Sequence, residues 1–118
     1  MDDDRPIFQQ IAEQIENEII AGALPEDTQI PSTNEFAAFH RINPATAGKG
    51  VHLLVETGIL YKKRGIGMFV APGARARLIA ERRERFRAQY VLPLLAEATK
   101  LGIAPAELAA MIQPGGSR

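Results

Sequence analysis

Between Ser32 and Gly67 the chain gathers the side chains best suited to chemistry, and that chemistry is recognition of anions and base edges. Arg41, Lys49, Lys62, Lys63 and Arg64 place five positive charges in residues 40–64 against a single carboxylate, Glu56. Among and before them stand Ser32, Thr33, Asn34, Asn43 and Thr46, short polar groups that can hydrogen-bond phosphate oxygens or base edges. The methyl of Ala45 suits apolar contact with a thymine methyl. Gly65 and Gly67 flank the turn after Arg64 and permit close approach of the backbone to a phosphate. Bond-breaking chemistry has no such signature. The sequence holds no cysteine, no P-loop, no nucleophile elbow and no H-E-x-x-H motif. Two histidines, His40 and His52, are too few for a metal site. No catalytic residue, metal or cofactor is therefore expected.

These residues need elements to position them, and the local signals are strong. Ser32-Thr33-Asn34-Glu35 has the S-x-x-E form of a capping box and opens a helix over residues 32–40, directly after Pro31. Arg41-Ile42-Asn43-Pro44 breaks that helix. Asn43 suits the cap of the next one, and Pro44 suits its first turn, where no intrahelical N–H is needed. At about 100° per residue, Ala47, Gly50, Val51, Leu54 and Gly58 fall on one side of a helix over 44–57. Ala45, Lys49, His52 and Glu56 fall on the other. Gly58 ends this helix. Ile59-Leu60-Tyr61 and Met68-Phe69-Val70 then form a hairpin with Lys62, Lys63, Arg64, Gly65, Ile66 and Gly67 at its tip. Helix, tight turn, helix and hairpin is the order of a winged helix-turn-helix, which makes duplex DNA the first partner to consider. The second helix would enter the major groove, with Asn43, Ala45, Thr46 and Lys49 nearest the bases.

Three fragments carry a resemblance. IPSTNEFA resembles the LPSxRxLA opening of the GntR family of bacterial transcription regulators. INPATAGKGV resembles the INPxTVxxAY stretch of the YtrA-type subgroup, and GILYKKRGIGMFV is similar to that subgroup's glycine-bearing wing. The three occur in order, without a gap through the hairpin. The resemblance implies that Thr46 and Lys49 contact DNA from the recognition helix and that Arg64 reaches the minor groove from the wing. Asn34 stands where the family usually has a DNA-contacting arginine, so it brings a hydrogen-bond donor without charge. The resemblance also implies that a short helical tail replaces a large effector-binding domain and holds two copies together.

The rest of the chain fits this plan. Pro6 to about Ala21 reads as a supporting helix with an apolar stripe of Ile7, Ile11, Ile15 and Ile19, joined by Phe8 and Ile20. Asp2, Asp3 and Asp4 favour its positive end, and Gly22 stops it. Residues 22–31 read as a loop rich in turn residues, with Leu24 and Ile30 tucked inward. Pro72-Gly73 marks a boundary, dividing a winged helix-turn-helix domain (1–72) from a helical dimerisation tail (73–118). The fold class is α+β, mostly α. The tail reads as one long helix over 74–101, kinked at Pro93, followed by a short helix from Pro105 through Ile112 and a frayed end from Pro114 to Arg118. Ile79, Phe86, Tyr90, Leu94, Leu95, Ala98, Leu101, Leu108 and Ile112 are its candidate dimer contacts. So few residues cannot bury a core of their own.

Within 118 residues the net charge is zero, but nine acids against Arg5 in residues 1–35 are offset by the basic stretch and by six arginines in residues 75–87. Those arginines read most simply as a solvated face. The local field, rather than the total, governs phosphate binding. No apolar run approaches the ~20 residues of a membrane span, and the polar N-terminus is wrong for a secretory signal, so a cytoplasmic location is expected. The reading is a homodimeric repressor on a palindromic operator. A winged-helix module that docks a protein instead of DNA is the alternative. A small-molecule effector is left open, since no residue cluster marks its site.

One oddity concerns Gly48 and Gly50, either side of Lys49. Glycine within a helix costs about 0.5–1 kcal/mol relative to alanine. Gly50 faces the core, where close packing accounts for it. Gly48 lies on the flank, where close approach to phosphate and simple tolerance are competing explanations.

Overall fold

The computed structural model describes residues 5–114. Asp2, Asp3 and Asp4, and residues 115–118 of the end expected to fray, lie outside the described residues. The chain divides into two compact units, one ending at Ile79 and the other beginning at Ala80.

The first unit is built on α1 (Ile7–Ile20), α2 (Thr33–His40) and α3 (Pro44–Glu56). Ile11, Ile15 and Ile19 of α1 are almost fully buried, with Val51 and Leu54 of α3 packed into the same core. Burying each such aliphatic side chain contributes about 1.5–3 kcal/mol. Ile7, at the open end of the stripe, is 46% exposed. Contact between α1 and α3 is close because Gly50 has no side chain. A Cβ there would lie 2.7 Å from the Phe8 carbonyl oxygen and 2.9 Å from Ile11 Cγ2.

The wing is β1 (Leu60–Lys63) paired antiparallel with β2 (Gly67–Val70), Leu60 opposite Val70 and Lys63 opposite Gly67. Gly58, at φ +80°, ends α3, and the Ile59 N–H returns to the Leu54 carbonyl at 2.9 Å. This Schellman arrangement sends the chain directly into β1. The segment before α2, expected as a loop, is a loop tied to the wing by one isolated bridge, Gln29 opposite Phe69. Asp27 N–H donates to the Val70 carbonyl at 2.7 Å and Ile30 N–H to the Met68 carbonyl at 2.9 Å. Val70 N–H donates back to the Thr28 carbonyl at 3.0 Å. Turn-rich composition hid this pairing, because the partner strand lies some forty residues away.

α4 (Ala74–Phe86) begins inside the first unit, whose core includes Ala74 and Leu78. This anchorage places the start of α4 in the first compact unit, which ends at Ile79. The second unit continues through a π-helical segment, Arg87–Val91, to α5 (Leu92–Lys100) and α6 (Pro105–Ile112). The long helix expected over 74–101 runs unbroken through Lys100, and its irregularity is a π-helical segment just before Pro93. Proline offers no N–H to the Gln89 carbonyl and crowds it, and a wider π turn relieves both problems. Among the described residues, no helix is long and apolar enough to cross a membrane.

The two helix glycines make opposite predictions. Gly50→Ala is expected to destabilise the fold by about 1–3 kcal/mol through overpacking. A Cβ at Gly48 would meet only Thr33 Cγ2, at an ordinary 3.5 Å, so Gly48→Ala should stabilise by about 0.5–1 kcal/mol. Denaturant unfolding of both variants measures the difference, and equal effects would contradict this account of α3.

Candidate nucleic-acid interface

The first turn of α2 is capped from both directions. The Ser32 hydroxyl accepts from Glu35 N–H at 3.1 Å, and the Glu35 carboxylate accepts from Ser32 N–H at 3.0 Å. The Ser32 backbone N–H first, and then the Ser32 side chain, hold the Glu35 carboxyl below its ordinary pKa. Its folded pKa therefore lies below the unfolded one, so this half of the cap is present above the glutamate range and is lost as pH falls through the folded value. The Ser32 hydroxyl is committed to the cap. Thr33 and Asn34, which follow it, retain first-turn N–H groups that point along the helix axis toward any anion placed there.

The turn to α3 repeats the device. Asn43 Oδ1 accepts from Ala45 N–H at 2.7 Å, and Pro44 occupies the first turn, as its sequence position predicts. Arg41 holds α2's end at φ +55°, a left-handed conformation, while Ile42 N–H returns to the Ala37 carbonyl at 3.0 Å. At the equivalent position α1 and α3 end on Gly22 and Gly58. A left-handed non-glycine residue costs about 1–2 kcal/mol, so Arg41 is kept at the helix-turn-helix corner despite its backbone. It is exposed there.

Ala45 is exposed and Thr46 half-buried at the start of α3. Thr33 abuts α3 at Gly48, which brings the first turn of α2 against the middle of the second helix. Lys49 is exposed, yet its ammonium lies 4.2 Å from the Phe8 ring centroid, turned toward α1. An exposed cation–π contact is worth about 0.5–1 kcal/mol, little enough for a phosphate to displace it. His52, read from sequence as a surface residue, pairs with Glu56 at 2.9 Å on the outside of α3.

At the wing tip, Ile66 N–H donates to the Lys63 carbonyl at 2.9 Å, closing a turn through Arg64 and Gly65, the latter at φ +76°. Arg64 and Ile66 are exposed. Lys63 Nζ lies 4.4 Å from the Phe69 ring. Sequence reasoning missed Gln29. Its side-chain amide donates to the Ile66 carbonyl at 2.9 Å, across the wing from the segment before α2. Gly67, at φ +148°, leaves the space this amide fills: a Cβ there would lie 2.5 Å from Gln29 Nε2. The signal was present in the spacing of the two wing glycines, but one was needed for the turn and the other for Gln29. Asp27 adds a second brace by accepting from the Tyr61 hydroxyl at 2.8 Å, which raises the tyrosine pKa.

No family profile matches the chain. A solved GntR-family regulator from Bacteroides thetaiotaomicron shares 34% identity and a TM-score of 0.75, over 89% of this chain and 91% of that one. The chain belongs to the GntR family. Its fold is the winged helix of that family's regulators. The Bacillus subtilis repressor YtrA is 30% identical over 74 residues, covering 63% of this chain, which supports a YtrA-type regulator. The repressor NagR of the same organism is 38% identical over 66 residues, 56% of this chain. The chain spans 57% of YtrA's length and 27% of NagR's. The DNA-binding domain of AraR, solved in complex with operator ORX1, is 34% identical with a TM-score of 0.55, over 57% of this GntR-family chain and 81% of that structure.

Of the candidate tail contacts, Phe86, Tyr90, Leu94, Leu95, Leu101 and Ile112 are exposed. Ala98 and Leu108 are buried within the second unit, and Ile79 is half-buried in the first.

The Gln29 brace has a direct readout. Gln29→Ala should accelerate amide hydrogen exchange at Ile66, whose N–H closes the tip turn, while lowering stability by no more than about 1 kcal/mol. Unchanged exchange there would show that the tip holds itself.

Proposed function

We propose that this GntR-family chain is a sequence-specific DNA-binding transcription regulator, acting as a homodimeric repressor on a palindromic operator. The observation that carries the reading is the meeting of α2's capped first turn with α3 beside Gly48, next to a braced, basic wing. Thr33 and Asn34 meet phosphate with backbone N–H groups and a neutral amide. Asn43, Ala45, Thr46 and Lys49 face base edges, with Gly48 allowing the helix backbone to come close. Arg41, Lys63 and Arg64 contact the duplex backbone, and Gly65 and Gly67 shape the wing against it. Each role follows from residue type and position, and the AraR–operator complex supports DNA as the partner class.

Salt separates this reading from a protein-docking module. On a duplex selected from genomic DNA, affinity should fall steeply with ionic strength. Lys49→Ala and Arg64→Ala should each reduce the magnitude of that slope by about 1 if they contact phosphate. Should Lys49 read a base, discrimination at one operator position would relax by about 1–3 kcal/mol instead. Salt-independent or absent binding contradicts the proposal.

Dimerisation supplies two half-sites about one DNA turn apart and buries the exposed Phe86, Tyr90, Leu94, Leu95, Leu101 and Ile112. Light scattering on the full chain should give twice the 12.9 kDa chain mass, and Leu101→Glu should shift it toward the monomer. A wild-type chain that is monomeric at micromolar concentration contradicts this part.

A further inference from the structure

A groove between α1 and α2 takes no part in the proposed DNA contacts. Its walls are Glu18 of α1, then Pro31, Glu35, Phe36, Phe39 and His40, around a volume of 410 Å³. Small-molecule sites commonly occupy about 300–1,000 Å³. One wall is aromatic. The Phe36 and His40 rings lie 4.3 Å apart, and Phe39 meets His40 edge-on at 4.9 Å. Gln14 fixes the imidazole through a 3.2 Å hydrogen bond. Phe39 is 82% exposed, so its ring is open to a ligand from solvent.

The charged members of the groove are carboxylates. Glu18 has no side-chain partner among the described residues. Glu35 is already held by Ser32, so Glu18 is the carboxylate that meets a ligand directly and Glu35 adds negative charge beside it. Ring faces opposite carboxylates attract a cation with a flat, apolar body: the rings through their quadrupoles, the carboxylates through charge-assisted hydrogen bonds. We propose that this groove binds a small organic cation of the amidinium or guanidinium type. The concave volume favours a small molecule over a protein surface. Glu35 also closes the cap that carries Ser32, Thr33 and Asn34, so occupancy of the groove perturbs that turn. Any consequence for operator affinity rests on the DNA reading above; the site itself does not.

Titration of the isotope-labelled full chain with benzamidine, followed by nuclear magnetic resonance, tests the site. Benzamide, neutral and of the same shape, is the control. Benzamidine should shift the Phe36, Phe39 and His40 signals saturably, together with the Ser32 amide, and benzamide should not. Glu18→Gln and Phe39→Ala should each weaken benzamidine binding by about tenfold. Both positions lie outside the core, and unchanged thermal midpoints verify the fold of each variant. Equal shifts with the two probes, no saturable shift at millimolar benzamidine, or undiminished binding by Glu18→Gln would overturn the proposal. No DNA enters the experiment, so its failure leaves the DNA reading standing.

Discussion

The first unit depends on the close approach of α1 and α3 at Gly50. With the Phe8 carbonyl 2.7 Å from where a Cβ would sit, no larger residue fits without moving a helix backbone. That contact seats α3 on α1 and turns Ala47, Val51 and Leu54 inward. Thr33 then rests against Gly48, so the placement of α2 follows from that of α3. The end of α3 fixes the wing in turn, since Gly58 and Ile59 lead straight into β1. A glycine that looks costly by helix propensity is therefore the point from which the binding surface is laid out.

The surface so built relies on local charge and on backbone dipoles. The chain is neutral overall, and Asn34 brings an uncharged amide to the first turn of α2. What it retains are two capped helix starts and a few exposed cations. Arg41 is held in a left-handed backbone that glycine would adopt more cheaply. Lys49 is parked on Phe8. A positive charge kept at conformational cost, and another stored on a weak contact, fit a surface that awaits an anionic partner.

Much of this was legible in the sequence because its signals are local. The capping box at Ser32–Glu35, the Asn43-Pro44 start and the Gly58 stop each depend on a few neighbouring residues, and each stands where expected. What could not be read depends on distant partners. The backbone bonds that tie residues 27–30 to β2, and the bond from Gln29 to Ile66, join segments far apart in the chain. Phe39 follows Phe36 and Ala37 in an apolar run, yet only those two reach the core. Helical phase, and not apolarity, decides the matter, and Phe39 falls on the groove side. Pro93 announced an irregularity, but the choice of a π segment on its N-terminal side belongs to the three-dimensional hydrogen-bond pattern.

On the proposed reading, the α2–α3 corner and the wing tip form one DNA-binding face. Chemical-shift mapping with a duplex selected from genomic DNA tests it most directly. The account predicts perturbations concentrated at Thr33 and Asn34, at Asn43 through Lys49, and at Lys63 through Gly67. Perturbations confined to the tail beyond Ala80, or none at all, would contradict it.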